Sequence, residues 1–258
     1  MPPAALTRNQ AKHLRALRNR KYRHEHRQFV AEGETIVAEI LAAAPVELRY
    51  VVCTPDYFAR QSLPAQTSLM GRVFCCDEKT FGRFSSLDTP PAALAVLDIP
   101  PERSVPMLGL NLFLDGIRDP GNLGTILRVA DWFGHATLVL SPDCVDVYNS
   151  KSIQATMGAF LRVHVRTESL QAIRLAHPEL AIVGTRIDDG ADAFNCTWQR
   201  ETLLVIGSES HGIRPEQQAW LDSWLSIPRG PQRSGAESLN VAVATGILCA
   251  SYLAATRP

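Results

Sequence analysis

The segment DPGNLGTILRVADWFG, residues 119–134, closely follows the apolar run LNLFL, residues 110–114. The run predicts a buried strand, PGN predicts a turn, and Asn122 is suited to cap a helix over 122–133. The apolar residues of this helix repeat at the spacing of one helix face: Ile126, Val129, Ala130 and Phe133. A strand, a tight loop and a helix in this order are typical of an α/β fold with a largely parallel sheet.

Two later segments have the same design, LLVIGSESHGI at 203–213 and LSIPRGPQRSGAESLNVAVATGILC at 225–249. Each places a bendable loop with polar side chains after an apolar run. The carboxyl ends of parallel strands meet at one edge of a sheet, and ligands collect there. The three segments are therefore predicted to form one site.

The rest of the second half continues the alternation of short apolar runs with helical patterns. Further strands are predicted at 136–140, 160–165, 180–184, 202–206 and 224–227, and further helices at 150–157, 169–177, 214–222 and from about 238. The closing helix repeats apolar residues at helical spacing, which predicts a core-facing stripe of Leu239, Val243, Gly246, Ile247 and Ala250.

A domain linker is predicted at 98–109, where DIPPERSVPMLG collects three prolines and a glycine between two apolar runs. It separates an N-terminal domain, residues 1–100, from a larger domain, residues 108–258. The first domain opens with a basic helix to about residue 19. It then continues with FVAEG, a helix near 33–44, strands 48–53 and 71–76, a short helix near 77–83 and strand 92–97. This pattern predicts a compact α/β module.

Composition indicates a soluble globular protein: 258 residues, 46% hydrophobic, with zero net charge. The N-terminus lacks an apolar core of signal-peptide length, and polar residues interrupt the apolar stretch 239–255, so neither secretion nor membrane insertion is expected. The six cysteines form no CxxC pair and no zinc-type spacing. Reduced thiols in a cytoplasmic protein are the expectation.

Charge is distributed unevenly along the chain. Residues 1–30 hold eight lysine and arginine residues against one acid, a balance of +7, and the remainder carries −7. A basic arm on an acidic body favours a polyanion partner. The alternative is an ordinary solvated basic helix.

Five polar residues of the three segments are candidates for catalysis: Arg128, Asn122, Glu209, Ser238 and Asn240. Arg128 lies one turn after Gly124, so its guanidinium is expected to pass over the glycine toward the helix start, beside free backbone amides. The alternative for Arg128 is a surface pair with Asp131 or a neighbour.

Other site classes find little support. The chain has no dinucleotide-type glycine fingerprint, no Walker lysine, no GxSxG and no HExxH. His24, Glu25 and His26 could suggest a metal, but they lack a third ligand nearby. No metal is expected.

Taken together, in this order and at these distances, the three segments resemble the signature motifs of the SpoU or TrmH-like RNA 2′-O-ribose methyltransferases of the SPOUT superfamily. The resemblance covers about residues 110–255. RKYRHEHRQFVAEGETIVAEIL, residues 20–41, also resembles the RNA-binding domain that precedes the catalytic domain in many members, a fold similar to a ribosomal-protein module.

This resemblance implies an RNA-binding α/β module followed by a catalytic domain with a C-terminal trefoil knot. It also implies a homodimer and S-adenosylmethionine bound in the knot loops. The five polar candidates match positions that act in catalysis or hold the target ribose. The implied cofactor positions are Gly184, Thr185, Gly207, Ile227 and Leu239.

Two features qualify the resemblance. The family's arginine is often described as a general base, but arginine holds its proton at neutral pH, which favours a clamp on phosphate and the developing alkoxide. The stretch 227–238, with Arg229 and Arg233, is longer than the usual motif, which predicts added RNA contacts or a changed cofactor rim. Ribosomal RNA is the favoured target. Transfer RNA is the alternative target. The alternative functions are a non-catalytic RNA-binding protein on the same scaffold and a Rossmann-type methyltransferase or dehydrogenase.

Overall fold

The structure, a computed structural model, describes residues 3–61, 71–101, 105–135, 137–230, 235 and 237–257. The chain divides into two compact units. The first consists of Met1–Pro101 and Asp146–Leu161, and the second of Glu102–Val145 and Arg162–Pro258. The boundary after Pro101 falls within the linker predicted at 98–109.

The first unit is built on a five-stranded mixed sheet with the strand order β1-β4-β3-β5-β2. Its elements from the N-terminal stretch are β1 (Ala4–Ala5), α1 (Arg8–Ala16), α2 (Arg20–His26), β2 (Gln28–Glu32), α3 (Glu34–Ala43), β3 (Leu48–Cys53), α4 (Pro55–Ala59), β4 (Val73–Cys75), α5 (Glu78–Phe81) and β5 (Ala93–Asp98). Strand β5 runs antiparallel to both of its neighbours, while β1, β4 and β3 are parallel. The basic helix predicted to about residue 19 ends at Ala16. A second helix, which was not predicted, begins at Arg20, where the Asn19 side chain accepts a hydrogen bond from Lys21 N and caps it.

A later stretch of the chain completes this unit. Residues 146–161, which the sequence pattern assigns to the second domain, contribute α7 (Ser150–Thr156) and a 3₁₀ turn at Ala159–Leu161. Ile153 of α7 is fully buried in the apolar core of the first unit. Asp146 accepts hydrogen bonds from the buried Arg23 guanidinium at 2.6 and 3.0 Å. Apolar burial and a paired internal charge therefore fix this segment in the first unit.

The second unit contains a seven-stranded sheet with the order β10-β12-β9-β11-β6-β7-β8, and every pair in it is parallel. Its strands and helices are β6 (Leu110–Asp115), α6 (Pro120–Trp132), β7 (Thr137–Leu140), β8 (His164–Thr167), α8 (Leu170–Ala176), β9 (Ala181–Thr185), β10 (Ala191–Asp192), β11 (Thr202–Gly207), α9 (Pro215–Gln218), β12 (Ser223–Ser226) and α10 (Val241–Thr256). Strands β6 and β7 are buried along their whole length, as expected for a parallel sheet covered on both faces. The predicted α/β class with a mostly parallel sheet is confirmed.

Some predicted boundaries were wrong. The run at 160–165 begins as a 3₁₀ turn, and the strand extends only over His164–Thr167. The helix predicted at 214–222 is a single turn, and the closing helix starts at Val241 because Asn240 caps it.

The predicted apolar stripe of the closing helix α10 was also wrong. Leu239, Val243 and Ala250 are exposed, and the opposite face is buried through residues such as Leu248 and Cys249. The helix is apolar on nearly all sides, so its periodicity cannot select the buried face. Among the described residues, no helix combines the length and the apolar character needed to cross a membrane.

Burial of His135 predicts a loss of stability in mild acid. Its ring lies 6.1 Å from the Phe133 ring and 6.5 Å from the Tyr252 ring, and burial lowers the pKa of His135 to about 4. In the unfolded chain histidine titrates near pH ~6.5. The unfolded state therefore binds more protons in this window, and stability falls as pH drops from about 6.5 toward 4.

Between pH 7 and pH 5 the expected loss from His135 is about 2 kcal/mol. His135→Leu removes this part of the pH dependence, which urea unfolding at the two pH values measures. An equal loss of unfolding free energy between pH 7 and pH 5 in wild type and variant would mean that His135 is not the source of the acid sensitivity.

Candidate functional site

Three neighbouring strands of the second sheet end at the same edge. Strands β9, β11 and β6 end at Thr185, Gly207 and Asp115, and Gly207 is in register with Asp115. The loops that follow β11 and β6 are two of the three segments singled out from the sequence. Parallel strands thus bring their polar loops to a common edge.

The first loop turns into helix α6 earlier than predicted. Asp119, not Asn122, is the N-cap, and its carboxylate accepts a hydrogen bond from Asn122 N at 2.7 Å. Pro120 takes the first helical position, where its fixed φ and missing N–H are favourable. The predicted cap at Asn122 was therefore wrong, and the Asn122 side chain makes other contacts.

A hydrogen-bonded chain of side chains joins all three segments. Asn122 Nδ2 donates to Glu209 Oε1, and Asn240 Nδ2 donates to Asn122 Oδ1 at 2.9 Å. Asn240 Oδ1 in turn accepts from Ala242 N and Val243 N, at 2.9 and 3.3 Å, and so caps α10. Asn122, Glu209 and Asn240, far apart in sequence, form one polar group.

The second loop is closed on itself at its base. Ser208 and Gly212 exchange two backbone hydrogen bonds, at 3.0 and 2.9 Å, so Glu209 projects from a short rigid turn. A Cβ atom on Gly207 would collide with the backbone of Gly212 and Ile213. Gly207 is therefore required by the close approach of two backbone segments.

A cavity of about 390 Å³ opens beside this polar group. Its size lies within the range of about 300–1,000 Å³ that is typical of small-molecule sites. The loops that follow β9, β11 and β12 line it, together with the start of α10, and apolar and polar residues are mixed in this lining. The predicted cofactor residues that line it are Thr185, Gly207, Ile227 and Leu239, and the predicted catalytic residues that line it are Glu209 and Ser238.

Gly184 differs from the other cofactor candidates because it does not line the cavity. A Cβ at this position would meet Leu221 Cδ1 at 2.5 Å and the Trp224 ring at 3.0 Å. Packing within the unit thus accounts for the glycine. Its role toward a cofactor stays a prediction.

Arg128 is exposed on α6 and, within the described residues, makes no hydrogen bond or ion pair. The alternative partner Asp131 is engaged elsewhere: Arg162 donates to it through Nε at 2.9 Å and through Nη2 at 2.7 Å. Gly124, one turn before Arg128, is buried. The expected path of the guanidinium over Gly124 stays a prediction, but the pair with Asp131 is absent.

Sequence reasoning missed a buried ion pair behind the site. Asp115, 0% exposed at the end of β6, accepts from Arg214 Nε at 2.8 Å, from Nη2 at 2.5 Å and from the backbone N at 2.8 Å. Asp143 also lies 3.1 Å from Arg214 Nη2. Hydrogen bonding to Asp115 raises the pKa of Arg214. The pair ties the end of β6 to the chain just after the second loop.

The described residues contain no cluster of side chains that could hold a metal ion. No three His, Cys, Asp or Glu side chains there lie close enough to hold an ion. The loop residue Arg233 lies outside the described residues, so its contacts stay a prediction.

Two family models match the chain. The model described as the SpoU rRNA Methylase family matches residues 109–250, and the MRM3-like substrate binding domain matches residues 8–95.

Known proteins resemble the chain over nearly its full length. The 23S rRNA (guanosine(2553)-2′-O)-methyltransferase RlmP of Bacillus subtilis is 28% identical over 92% of this chain and 93% of its own. A solved TrmH-family structure from Porphyromonas gingivalis is 37% identical, with a TM-score of 0.83 over 96% of this chain and 98% of its own. An AdoMet-bound rRNA methyltransferase from Sinorhizobium meliloti is 27% identical, with a TM-score of 0.81 over 99% and 98%.

Proposed function

Because this chain belongs to the SpoU rRNA methylase family, we propose that it transfers the methyl group of S-adenosylmethionine to a ribose 2′-hydroxyl of ribosomal RNA. The observation that carries the proposal is the hydrogen-bonded group of Asn122, Glu209 and Asn240 beside the cavity. It brings polar side chains from three distant segments to the place where a donor and a sugar can meet.

The cavity suits S-adenosylmethionine in size and lining. Ile227 and Leu239 offer apolar surface, while the backbone around Thr185 and Gly207 offers polar groups. A mixture of this kind fits a ligand with a flat base, a sugar and a charged tail. We propose that these residues and Gly184 form the cofactor site. The cofactor supplies an activated methyl group on a positively charged sulfur.

The protein's main task in this reaction is alignment. Methyl transfer requires the ribose oxygen, the methyl carbon and the sulfur to lie in line, and correct positioning supplies much of the rate acceleration. The bonds that fix Asn122, through Asp119 at its backbone and Asn240 at its side chain, hold it in a defined orientation. We assign Asn122, Glu209, Ser238 and Asn240 to holding the target ribose.

Arg128 provides the positive charge. Arginine stays protonated at neutral pH and presents a planar fork that suits phosphate oxygens. With no partner among the described residues, Arg128 is available to bind the adjacent phosphate and the developing alkoxide. The ribose proton then leaves to the phosphate or to water.

A contact at the cavity rim predicts a change in cofactor affinity. Arg229 Nη2 donates to the Glu237 carbonyl oxygen at 3.0 Å, and Arg229 Nε lies 3.5 Å from Asp188 Oδ1. Arg229 and Glu237 both line the cavity. Arg229→Ala removes these links and is expected to raise the Kd for S-adenosylmethionine about tenfold, with little change in kcat.

Calorimetry measures the cofactor Kd, and Arg200→Ala is the matched control because this exposed arginine lies outside the cavity lining. The longer loop was also predicted to contact RNA. If Arg229→Ala left the cofactor Kd unchanged and raised only the KM for RNA, a role in RNA binding would replace the role at the cofactor rim.

The first unit is proposed to bind the RNA, with residues 1–100 as the substrate-binding domain and residues 108–258 as the catalytic domain. Seven of the eight cations in its first 30 residues are exposed: Arg8, Lys12, Arg15, Arg18, Arg20, Lys21 and Arg27. Arg23 is the exception, because Asp146 and two backbone carbonyls occupy its guanidinium. An exposed basic surface suits a polyanion and gives a salt-sensitive affinity.

A homodimer is part of the proposal. Trp132 on α6 is 85% exposed, and Val243 in the first turn of α10 is 52% exposed. Large exposed apolar side chains on two helices that pack together suit an interface between copies of the chain. Sedimentation at the mass of a single chain would contradict this part of the proposal.

We also propose that the segment leading into α10 forms a trefoil knot, as the family resemblance implies. The support is the contact of this segment with the two other loops through Asn240 and the cavity lining. We further propose that the protein acts in the cytoplasm. Its six free cysteines fit a reducing compartment.

The experiment that tests the proposed function uses ribosomal RNA from cells that lack the gene. Incubation with the purified protein and S-adenosylmethionine is expected to create one alkali-resistant phosphodiester bond, the signature of a 2′-O-methyl group. Asn122→Ala is expected to create none at the same protein concentration. Methylation of a base, or of transfer RNA alone, would contradict the proposal.

A further inference from the structure

Helix α2 of the first unit presents two rings on one exposed face. Tyr22 and His26 are four residues apart, a spacing that places them on the same side of a helix. Their ring centroids lie 6.3 Å apart, and their planes differ by only 18°. Tyr22 is 39% exposed and His26 is also exposed. The pair therefore offers nearly parallel aromatic surface to a ligand.

A chain of contacts holds the His26 ring in place. The His13 ring meets His26 edge-on, with centroids 4.8 Å apart. Gln28 Nε2 donates to Asp98 Oδ1 at 3.0 Å, so Gln28 Oε1 faces His13 and accepts from its Nε2 at 2.8 Å. Contacts from the sheet thus orient the His26 ring before any ligand arrives. Such preorganisation reduces the entropy lost on binding.

The rings lie among exposed cations. Lys21 and Arg20 are on the same helix, and Lys21 Nζ is 5.8 Å from the centroid of the Tyr22 ring. Flat rings flanked by lysine and arginine are typical of sites where successive bases of a single strand stack while the cations contact phosphate. A protein partner typically buries about 800 Å² on each side, which is far more surface than two rings provide.

Lys21 does not block the Tyr22 ring. An exposed cation–π contact is weaker than the stacking of a base on an aromatic side chain. A nucleobase can therefore displace the flexible lysine from the ring. The lysine then gains a phosphate oxygen as its partner.

We propose that Tyr22 and His26 form a stacking site for unpaired nucleobases of the RNA substrate. The inference rests on the proposed function, since it names the part of the RNA that this unit recognises. In this proposal, Tyr22 and His26 are the residues that make the protein bind single-stranded RNA more tightly than fully paired RNA. The cations supply affinity without that preference.

The test measures fluorescence anisotropy of the full chain with a short single-stranded RNA and with a blunt duplex of the same length. Tyr22→Ala and His26→Ala are each expected to raise the Kd for the single strand about tenfold, about 1.4 kcal/mol, and to change the Kd for the duplex less than about twofold. Tyr22→Phe keeps the ring and is expected to bind like wild type. Val46→Ala, at an exposed apolar residue of the same unit, is the matched control.

Three outcomes would overturn the inference. Unchanged single-strand affinity in Tyr22→Ala would assign the rings to another partner, such as a protein. An equal rise in the Kd for both RNAs in the alanine variants would mean that these residues contribute only to phosphate binding. A loss of single-strand affinity in Tyr22→Phe would mean that the hydroxyl group, and not the ring, makes the contact. A wild-type protein that binds neither RNA would contradict the proposed function itself, whereas the other outcomes leave that function intact.

Discussion

Replacing Arg128 by lysine is expected to lower kcat about a hundredfold at saturating S-adenosylmethionine and RNA, because loss of one well-placed donor to a developing oxyanion costs about 10²–10³ in kcat. Lysine keeps the charge but offers a single ammonium in place of a planar fork. Arg128 has no other partner among the described residues, so its loss leaves the fold undisturbed. The measurement is single-turnover methylation with both substrates saturating.

A pH series separates the two roles considered for Arg128. If this residue is the general base, the lysine variant regains rate as pH rises, since lysine loses its proton more readily than arginine. If it is an electrostatic clamp, the variant stays slow across the range. Arg200→Lys, an exposed arginine of the same unit, should match wild type. Near-normal turnover of Arg128→Lys would refute the clamp.

Asp115→Ala is expected to cost about 3 kcal/mol of unfolding free energy, near the lower end for breaking a buried pair. The carboxylate is fully buried and accepts three hydrogen bonds from Arg214. The cost does not reach the upper end because 30% of the Arg214 side chain is exposed and Asp143 remains within 3.1 Å. Urea unfolding of the full chain measures it.

Asp131→Ala is the matched control. It removes the carboxylate of a bidentate pair in the same unit, but half of the Arg162 side chain is exposed, so the expected loss is below about 1 kcal/mol. Equal losses of unfolding free energy in the two variants would mean that the buried pair of Asp115 stabilises the fold no more than an exposed pair does. The second loop would then need another explanation for its position.

Local sequence patterns were sufficient to predict most of the strands and the meeting of the three loops. Apolar runs followed by glycine, proline and asparagine fix strand ends, and a parallel sheet places those ends together. The bond between Asn122 and Asn240 is the contact this reasoning expects. The mistaken cap at Asn122 was avoidable, because proline at 120 is typical of a first helical position and points to Asp119 as the cap.

Other features were not accessible from the sequence. Asp115 and Arg214 pair across 99 positions of the chain, and an aspartate after an apolar run gives no sign of its partner. The buried face of α10 was hidden for another reason: a helix that is apolar all round carries no directional signal. Both depend on which surfaces meet, and that is a property of the tertiary fold.

The interrupted first unit has a consequence for synthesis on the ribosome. Its core includes Ile153, and its buried Arg23 is neutralised by Asp146, so neither contact can form before translation has passed Ile153. A nascent chain that ends near Pro101 leaves an internal guanidinium without its counter-ion. The N-terminal half is thus synthesised first but completes its folding late. If the gene is split near residue 101, the first of the two pieces is expected not to complete its folding alone.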